Sequence, residues 1–295
     1  MRLAFALPSR WSPRAWCSQA LEESSASPWK AHYVGFYEAV ARKCQGQDDV
    51  QKRIDAGIGW AFWSDDARLL ADEARRGCVP VSVPTFLMDT HEVTVAEYRA
   101  CVSAGNCTEP LTNARNQYCN YGHAERDRHP VNCLDWDQAA AYCAAAGGRL
   151  PTEPEWERAA RAGSLSRYPW GQEVSCAEAI LDEVSPAQAR QEPDGCYTDA
   201  TWPVGSRPAN ALGLYDMHGN AGEWTASWYA PDAITRLYAH GNLQGPPEGR
   251  QRVVRGGSWD ENRPNLRSSF RNVKPPGQGD AIYGSIGFRC VADPS

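Results

Sequence analysis

The feature that most constrains this chain is its set of eleven cysteines in 295 residues: Cys17, Cys44, Cys78, Cys101, Cys107, Cys119, Cys133, Cys143, Cys176, Cys196 and Cys290. No two are spaced Cys-x-x-Cys and none is followed by a nearby His pair, which removes zinc-ribbon, zinc-finger and thioredoxin-type readings. Scattered spacing suits disulfides between loops, and those persist in an oxidising compartment. The cysteine usage therefore points to an extracytoplasmic protein: secreted, periplasmic or on a cell surface. Eleven is odd, so at least one thiol is free, intermolecular or reactive. The first residues give no matching address, because Pro8, Arg10 and Arg14 interrupt the apolar start and no cleavable signal is evident.

Charge and hydropathy exclude several classes. With 30 Lys plus Arg against 36 Asp plus Glu, the net charge is −6, the wrong sign for a surface built to neutralise nucleic-acid phosphates. No run approaches the roughly 18 apolar residues of a membrane span, so no transmembrane segment is expected. A content of 42% hydrophobic and 22% charged residues is that of a folding chain rather than a disordered one.

Residues 1–78 read as a poorly specified N-terminal extension, with a loop at 24–29 and a short polar helix at 65–76; the domain is placed at 79–295. Val81, Val83 and residues 86–88 read as strand. Thr94-Val-Ala-Glu97 is a capping box opening a helix, with Tyr98, Cys101 and Val102 on one face and Gly105 as its stop. A second helix is expected from Asp135 to Ala146, ahead of Gly147-Gly148, and a third from Thr152-Glu-Pro-Glu155 to near Gly163. Beyond Gly163 the chain turns to Gly, Pro, Asn and aromatic residues, with short apolar runs at 252–254 and 286–288 and no helix predicted. The expected class is a loop-rich α+β domain, which needs buried indoles, ions or disulfides as ties.

A series of motifs in order then carries a resemblance. These are Asp89-Thr-His-Glu-Val-Thr-Val-Ala-Glu-Tyr98, His129-Pro-Val-Asn-Cys-Leu-Asp-Trp136, Gly148-Arg-Leu-Pro-Thr-Glu-Pro-Glu-Trp-Glu157 and Tyr168-Pro-Trp-Gly171. Gly213-Leu-Tyr-Asp-Met-His-Gly-Asn-Ala-Gly-Glu-Trp224, Arg255-Gly-Gly-Ser-Trp259 and Gly287-Phe-Arg-Cys290 follow. Over roughly residues 79–293 the chain resembles the formylglycine-generating enzyme, or sulfatase-modifying factor, family. The resemblance implies a C-type-lectin-like α+β fold with little regular structure. The family's opening survives only as Gly59-Trp-Ala-Phe62-Trp-Ser64.

The same resemblance bears on chemistry. The family's oxidase holds Cu(I) on two cysteines just after the Gly-Gly-Ser-aromatic motif, since soft Cu(I) prefers sulfur. Here residues 258–267 contain no cysteine, so neither copper nor copper-dependent formylglycine formation is expected. By residue match Trp224, Ser258, Arg271 and Ser285 correspond to positions lining the family's substrate cleft, with Trp259 and Arg267 beside them and Asp260, Glu261, Asn262 and Asn265 adding polar groups. That set suits a polar cleft with an aromatic wall, able to bond a peptide backbone or a small polar ligand. The alternative is that Arg267, Arg271 and Arg289 pair with carboxylates to hold loops together. Ser258 lacks a His–acid partner set, so a hydrolase triad is unsupported.

In the resembled family the loop at 219–223 holds a structural calcium. Gly219 and Ala221, through carbonyls, and Glu223 carry over as ligands, with His218 or Asn220 as further candidates; hard Ca²⁺ requires such oxygens. The alternative is a tight turn with Glu223 paired to an Arg. A second calcium site of the family uses an Asn near Ala179-Ile180 and an Asp near Asp194; the Asn is missing, and a Cys176–Cys196 disulfide is expected in the ion's place. Cys143 and Cys290 match a disulfide pair of the family. Cys101, Cys107, Cys119 and Cys133 allow three connectivities, of which proximity favours Cys101–Cys107 and Cys119–Cys133. The helix start at 152–157 reads as structural, with Trp156 packed inward and its carboxylates no acid/base pair. The expected role is a calcium- and disulfide-stabilised module binding a protein or peptide. The alternatives are an oxidoreductase of the same family with a different cofactor, or a retroelement-diversified ligand-binding protein varying across residues 255–289.

Overall fold

The computed structural model describes residues 79–110, 116–182, 196, 200–278 and 284–294. The expected N-terminal extension, with its loop and polar helix, lies outside the described residues.

Three helices begin where a side chain can satisfy the first free backbone N–H groups. α1 (Val95–Ser103) is capped by Thr94, whose hydroxyl accepts from the Glu97 N–H while the Glu97 carboxylate accepts from the Thr94 N–H. α2 (Trp136–Ala145) uses Asp135 and Gln138 in the same reciprocal way. α3 (Glu153–Arg161) uses Thr152 and Glu155, with Pro154 in its first turn, and stops where Ala162 turns left-handed at φ 46°. Each cap is worth about 1 kcal/mol. The expected starts and stops lie within a residue or two of these ends. A fourth helix, α4 (Ala233–Arg236), corrects the expectation that none follows Gly163; at four residues it has no room for an apolar repeat to announce it.

The strands are short and depart further from the sequence reading. β1 is only Leu87–Met88, because Val81 leaves the sheet to pack with Ala233, Ile234 and Tyr238. The strand that organises the domain is β2 (Gly222–Trp228), in a region read as loop. It lies between β3 (Arg252–Arg255), antiparallel, and β5 (Ile286–Gly287), parallel; β4 (Asn272–Lys274) completes the order β4-β3-β2-β5. A register shift between Trp224 and Trp228 bends β2 away from β3. β1 pairs antiparallel with β6 (Val291–Ala292), Leu87 opposite Ala292 and Met88 opposite Val291.

α1 and α2 cover one side of β2, enclosing Tyr98, Leu134, Trp224, Ile286 and Phe288. α3 covers another with Trp156, packed with Phe86, Met88 and Met217. Fully burying a side chain of this size contributes about 1.5–3 kcal/mol. Four disulfides join loops to this frame: Cys101–Cys107, Cys119–Cys133, Cys143–Cys290 and Cys176–Cys196. At the start of β3 the Arg252 guanidinium lies between two indoles, 3.7 Å from the Trp136 ring centre and 3.5 Å from that of Trp228. Burial there pushes its pKa down to about 10. No helix among the described residues is long and apolar enough to cross a membrane.

Candidate functional site

The helix start at α3 aims two carboxylates into the fold, since Glu153 and Glu157 are four apart and share a face. Glu153 accepts from Arg271 Nε at 2.5 Å and Nη2 at 2.7 Å, and from the Tyr238 hydroxyl at 3.0 Å. Glu157 accepts from Arg161 at 2.8 Å and from Arg255, which also donates to the carbonyls of Ser268 and Phe270. All five charged side chains are buried. Burial opposes ionisation of Glu153, yet Arg271 and Arg255 outweigh it and hold its carboxyl below the ordinary value. Burial likewise works against the charge on Arg271, and Glu153 more than compensates. Glu155 points elsewhere, taking a forked pair of bonds from Arg149 at 2.7 Å each.

A second charged centre lies under the loop that leads into β2. Glu223 is fully enclosed: Oε1 accepts from Arg289 Nε at 2.8 Å and Nη2 at 2.7 Å, and Oε2 from Arg289 Nε at 2.9 Å and Trp156 Nε1 at 2.7 Å. Beside it Glu92 accepts from the Ala221 N–H and from Asn220 Nδ2, both at 2.9 Å. Asp216 accepts from the Gly205 N–H at 2.6 Å. Burial, reinforced by Asp216 and Glu223, pushes the Glu92 carboxyl well up, and burial raises Asp216 too. The loop itself is tightly held. Asn220 is left-handed at φ 62°, and Gly219, at φ +82°, leaves no room for a Cβ, which would meet the Ile180 carbonyl at 2.1 Å. Asn220 donates its N–H to that carbonyl at 3.0 Å, and its own carbonyl accepts from the Trp259 N–H at 2.9 Å.

The sequence-matched cleft residues divide between these centres. Trp224 is fully enclosed in the core, donating to the Leu134 carbonyl at 3.4 Å, and Arg271 belongs to the Glu153 centre. Ser258 is buried and accepts from the Asp260 N–H. Trp259 stacks on Tyr118 with ring centres 5.4 Å apart and donates to the Gly284 carbonyl at 3.4 Å. Ser285, partly exposed, accepts from the Gly222 N–H at 2.8 Å. Trp259 and Ser285 thus each bond to the 219–223 loop, at Asn220 and Gly222. Arg271 goes to α3 instead, and Arg267 is buried in the turn before β4. The sequence reading did not single out Glu92 or Arg255, and it set aside the α3 carboxylates as capping groups. The pairings Glu157–Arg255, Glu153–Arg271 and Glu92–Ala221 span 98 to 129 positions, where no local pattern reports them.

For a cation at Gly219, Ala221 and Glu223, the fit is poor. Both oxygens of Glu223 face N–H donors, and Ala221 presents its N–H to a carboxylate. No three His, Cys, Asp or Glu side chains among the described residues converge as a metal would need. His218, the further ligand candidate, turns inward: its Nδ1 lies 2.6 Å from the Leu266 carbonyl, among Trp156, Tyr168 and Trp170. Burial depresses its pKa to about 4. His129, beside Thr201 at 3.0 Å, is also held at about 4 by burial.

Comparison with known proteins places the frame. The sulfatase-modifying factor enzyme 1-like domain family matches residues 59–294. The chain is 30% identical to the formylglycine-generating enzyme of Bos taurus over 81% of this chain and 74% of that protein. It is 34% identical to serine/threonine-protein kinase Pkn1 of Chlamydia trachomatis serovar L2 over 72% of this chain but only 34% of the kinase, so it spans about a third of that relative. Among solved structures, Treponema denticola variable protein 1 superposes with TM-score 0.57 at 23% identity, covering 74% of this chain and 88% of that one.

Proposed function

The chain belongs to the sulfatase-modifying factor enzyme 1-like family, and from that premise we propose that it is a disulfide-stabilised extracytoplasmic module that binds a protein or peptide. The observation that carries this reading is the placement of its cysteines. Residues 258–271, after the Gly-Gly-Ser turn, contain none. Each of the eight cysteines among the described residues is bonded to another. The resembled oxidase holds Cu(I) on a pair of thiolates, the soft ligands that ion prefers, and the described residues offer no such pair. The four disulfides also support an oxidising compartment.

A surface suited to binding lies next to that segment. Leu165 and Trp170, each 38% exposed, are the large apolar side chains left at the surface among the described residues. Trp170 stacks on Tyr168, whose hydroxyl donates to the Arg263 carbonyl at 2.6 Å. The aromatic turn is thereby fixed against residues 258–271, giving the rigid aromatic anchor that protein interfaces favour. Diversification across residues 255–289 fits less well, because Arg255, Phe270, Arg271, Phe288 and Arg289 are buried structural members.

The test uses the intact chain from an oxidising host. Peptides selected from a displayed random library should bind it and lose tenfold or more affinity to the Trp170→Ala variant. A cysteine-containing peptide incubated with the chain, Cu(I) and oxygen should be recovered unmodified by mass spectrometry. Catalytic conversion of that cysteine would overturn the proposal. The likeness to the bovine enzyme favours one second reading, an oxidoreductase with another cofactor; turnover appearing only with iron would select it.

A further inference from the structure

We infer that the loop at 219–223 is closed by the chain's own ionic groups, with Arg289 as the counter-charge of Glu223, and takes no calcium ion. The polarity of the surroundings carries the inference. A hard cation needs several oxygen lone pairs aimed at one point. Here the groups that face the acidic side chains beneath the loop are N–H donors: Trp156 Nε1, Arg289 Nε and Nη2, Asn220 Nδ2 and the backbone N–H groups of Ala221 and Gly205. They face the carboxylates of Glu223, Glu92 and Asp216, and would repel a cation placed among them.

The surplus of carboxylates does not reverse this reading. Three acids surround Arg289, and a cation would relieve the excess if their oxygens converged. Instead both Glu92 oxygens are directed at donors of the loop itself, and both Glu223 oxygens at Arg289 and Trp156. Arg289 is anchored from behind by donating to the carbonyls of Tyr215 at 2.8 Å and Asp89 at 3.3 Å. It is therefore fixed in place rather than available to swing aside for an ion. The Ile180 carbonyl is likewise held against the loop by the Asn220 N–H. The remaining tie nearby is covalent, the Cys176–Cys196 disulfide.

Isothermal titration of calcium chloride into the chelator-stripped intact chain and into its Glu223→Gln variant tests the inference. Calcium binding is expected to be absent, or to be the same in both proteins because it lies elsewhere. Stoichiometric binding that weakens tenfold or more in Glu223→Gln would overturn it, since only a ligand at the loop would depend on that carboxylate. Should Glu223→Gln fail to fold, Glu223→Asp, which keeps the charge but withdraws it from the loop, replaces it in the same titration: absent or equal binding supports internal closure, and a tenfold weakening refutes it.

Discussion

Replacing Glu153 by Gln removes one charge from a centre shut off from bulk solvent. The variant keeps the side chain's shape and one carbonyl oxygen, so packing at the start of α3 is preserved. Arg271 is left ionised and buried, having lost a forked partner at 2.5 and 2.7 Å, and Arg255 loses a carboxylate 3.6 Å away. Breaking one side of such a buried pair costs about 3–5 kcal/mol. For a domain of this size each kcal/mol is about 2–4 °C in Tm, so the midpoint should fall by roughly 6–20 °C. Urea unfolding followed by tryptophan fluorescence measures the loss. Its pH dependence gives an independent sign. Because Arg271 and Arg255 hold the Glu153 carboxyl below its ordinary value, its contribution is present above that ordinary value and is lost as pH falls through the folded one. The gap between wild type and variant should therefore close in acid. The double variant Glu153→Gln, Arg271→Met removes the stranded charge and should recover part of the loss, a coupling above about 2 kcal/mol. A single variant within about 1 kcal/mol of wild type, or strictly additive losses, would refute the reasoning.

Two further outcomes follow from groups elsewhere in the fold. The His218 value of about 4 lies below its unfolded value of 6.5, so the unfolded chain binds the proton first; stability should fall as pH drops from 6.5 and reach a full loss of about 3 kcal/mol below pH 4. Urea midpoints of wild type and His218→Gln between pH 6.5 and 5 should differ in slope, His129 supplying the remainder, and parallel curves would exclude the assignment. The Cys143–Cys290 bridge closes a separation of 147 residues, so the Cys143→Ala, Cys290→Ala variant should lose about 2–5 kcal/mol; a chemical-denaturation loss under 1 kcal/mol would contradict that.

The parts of this fold legible in the sequence are those whose partners are near neighbours. A hydroxyl and a carboxylate three residues apart can only meet around a helix start, and Thr94 with Glu97 and Thr152 with Glu155 do so. The α+β class with little regular structure was legible for the same reason, from the density of Gly, Pro and Asn between short apolar runs. β2 was not. Its Glu223, Thr225 and Ser227 are all buried, so the strand shows polar residues on a face that a pattern reading assigns to solvent. Their compensation is distant: Glu223 meets Trp156 and Arg289 across 67 and 66 positions, and Thr225 donates to the Val253 carbonyl across 28. The candidate site was obscured by the same long-range pairing. A run of conspicuous arginines reads equally as a ligand cleft or as internal struts, and only the positions of Glu153, Glu157 and Glu223 separate the two.

The pairing of β1 with β6 has a mechanical consequence. Leu87 and Ala292 are the outermost pair of that ladder, so the two flanking segments run side by side at that point. Tension applied through the two flanks would pull across the ladder rather than along it, opening it like a zip, one rung after another. The tear would then reach Cys290, tied to Cys143 in α2, and on that flank the load would pass to a covalent bond.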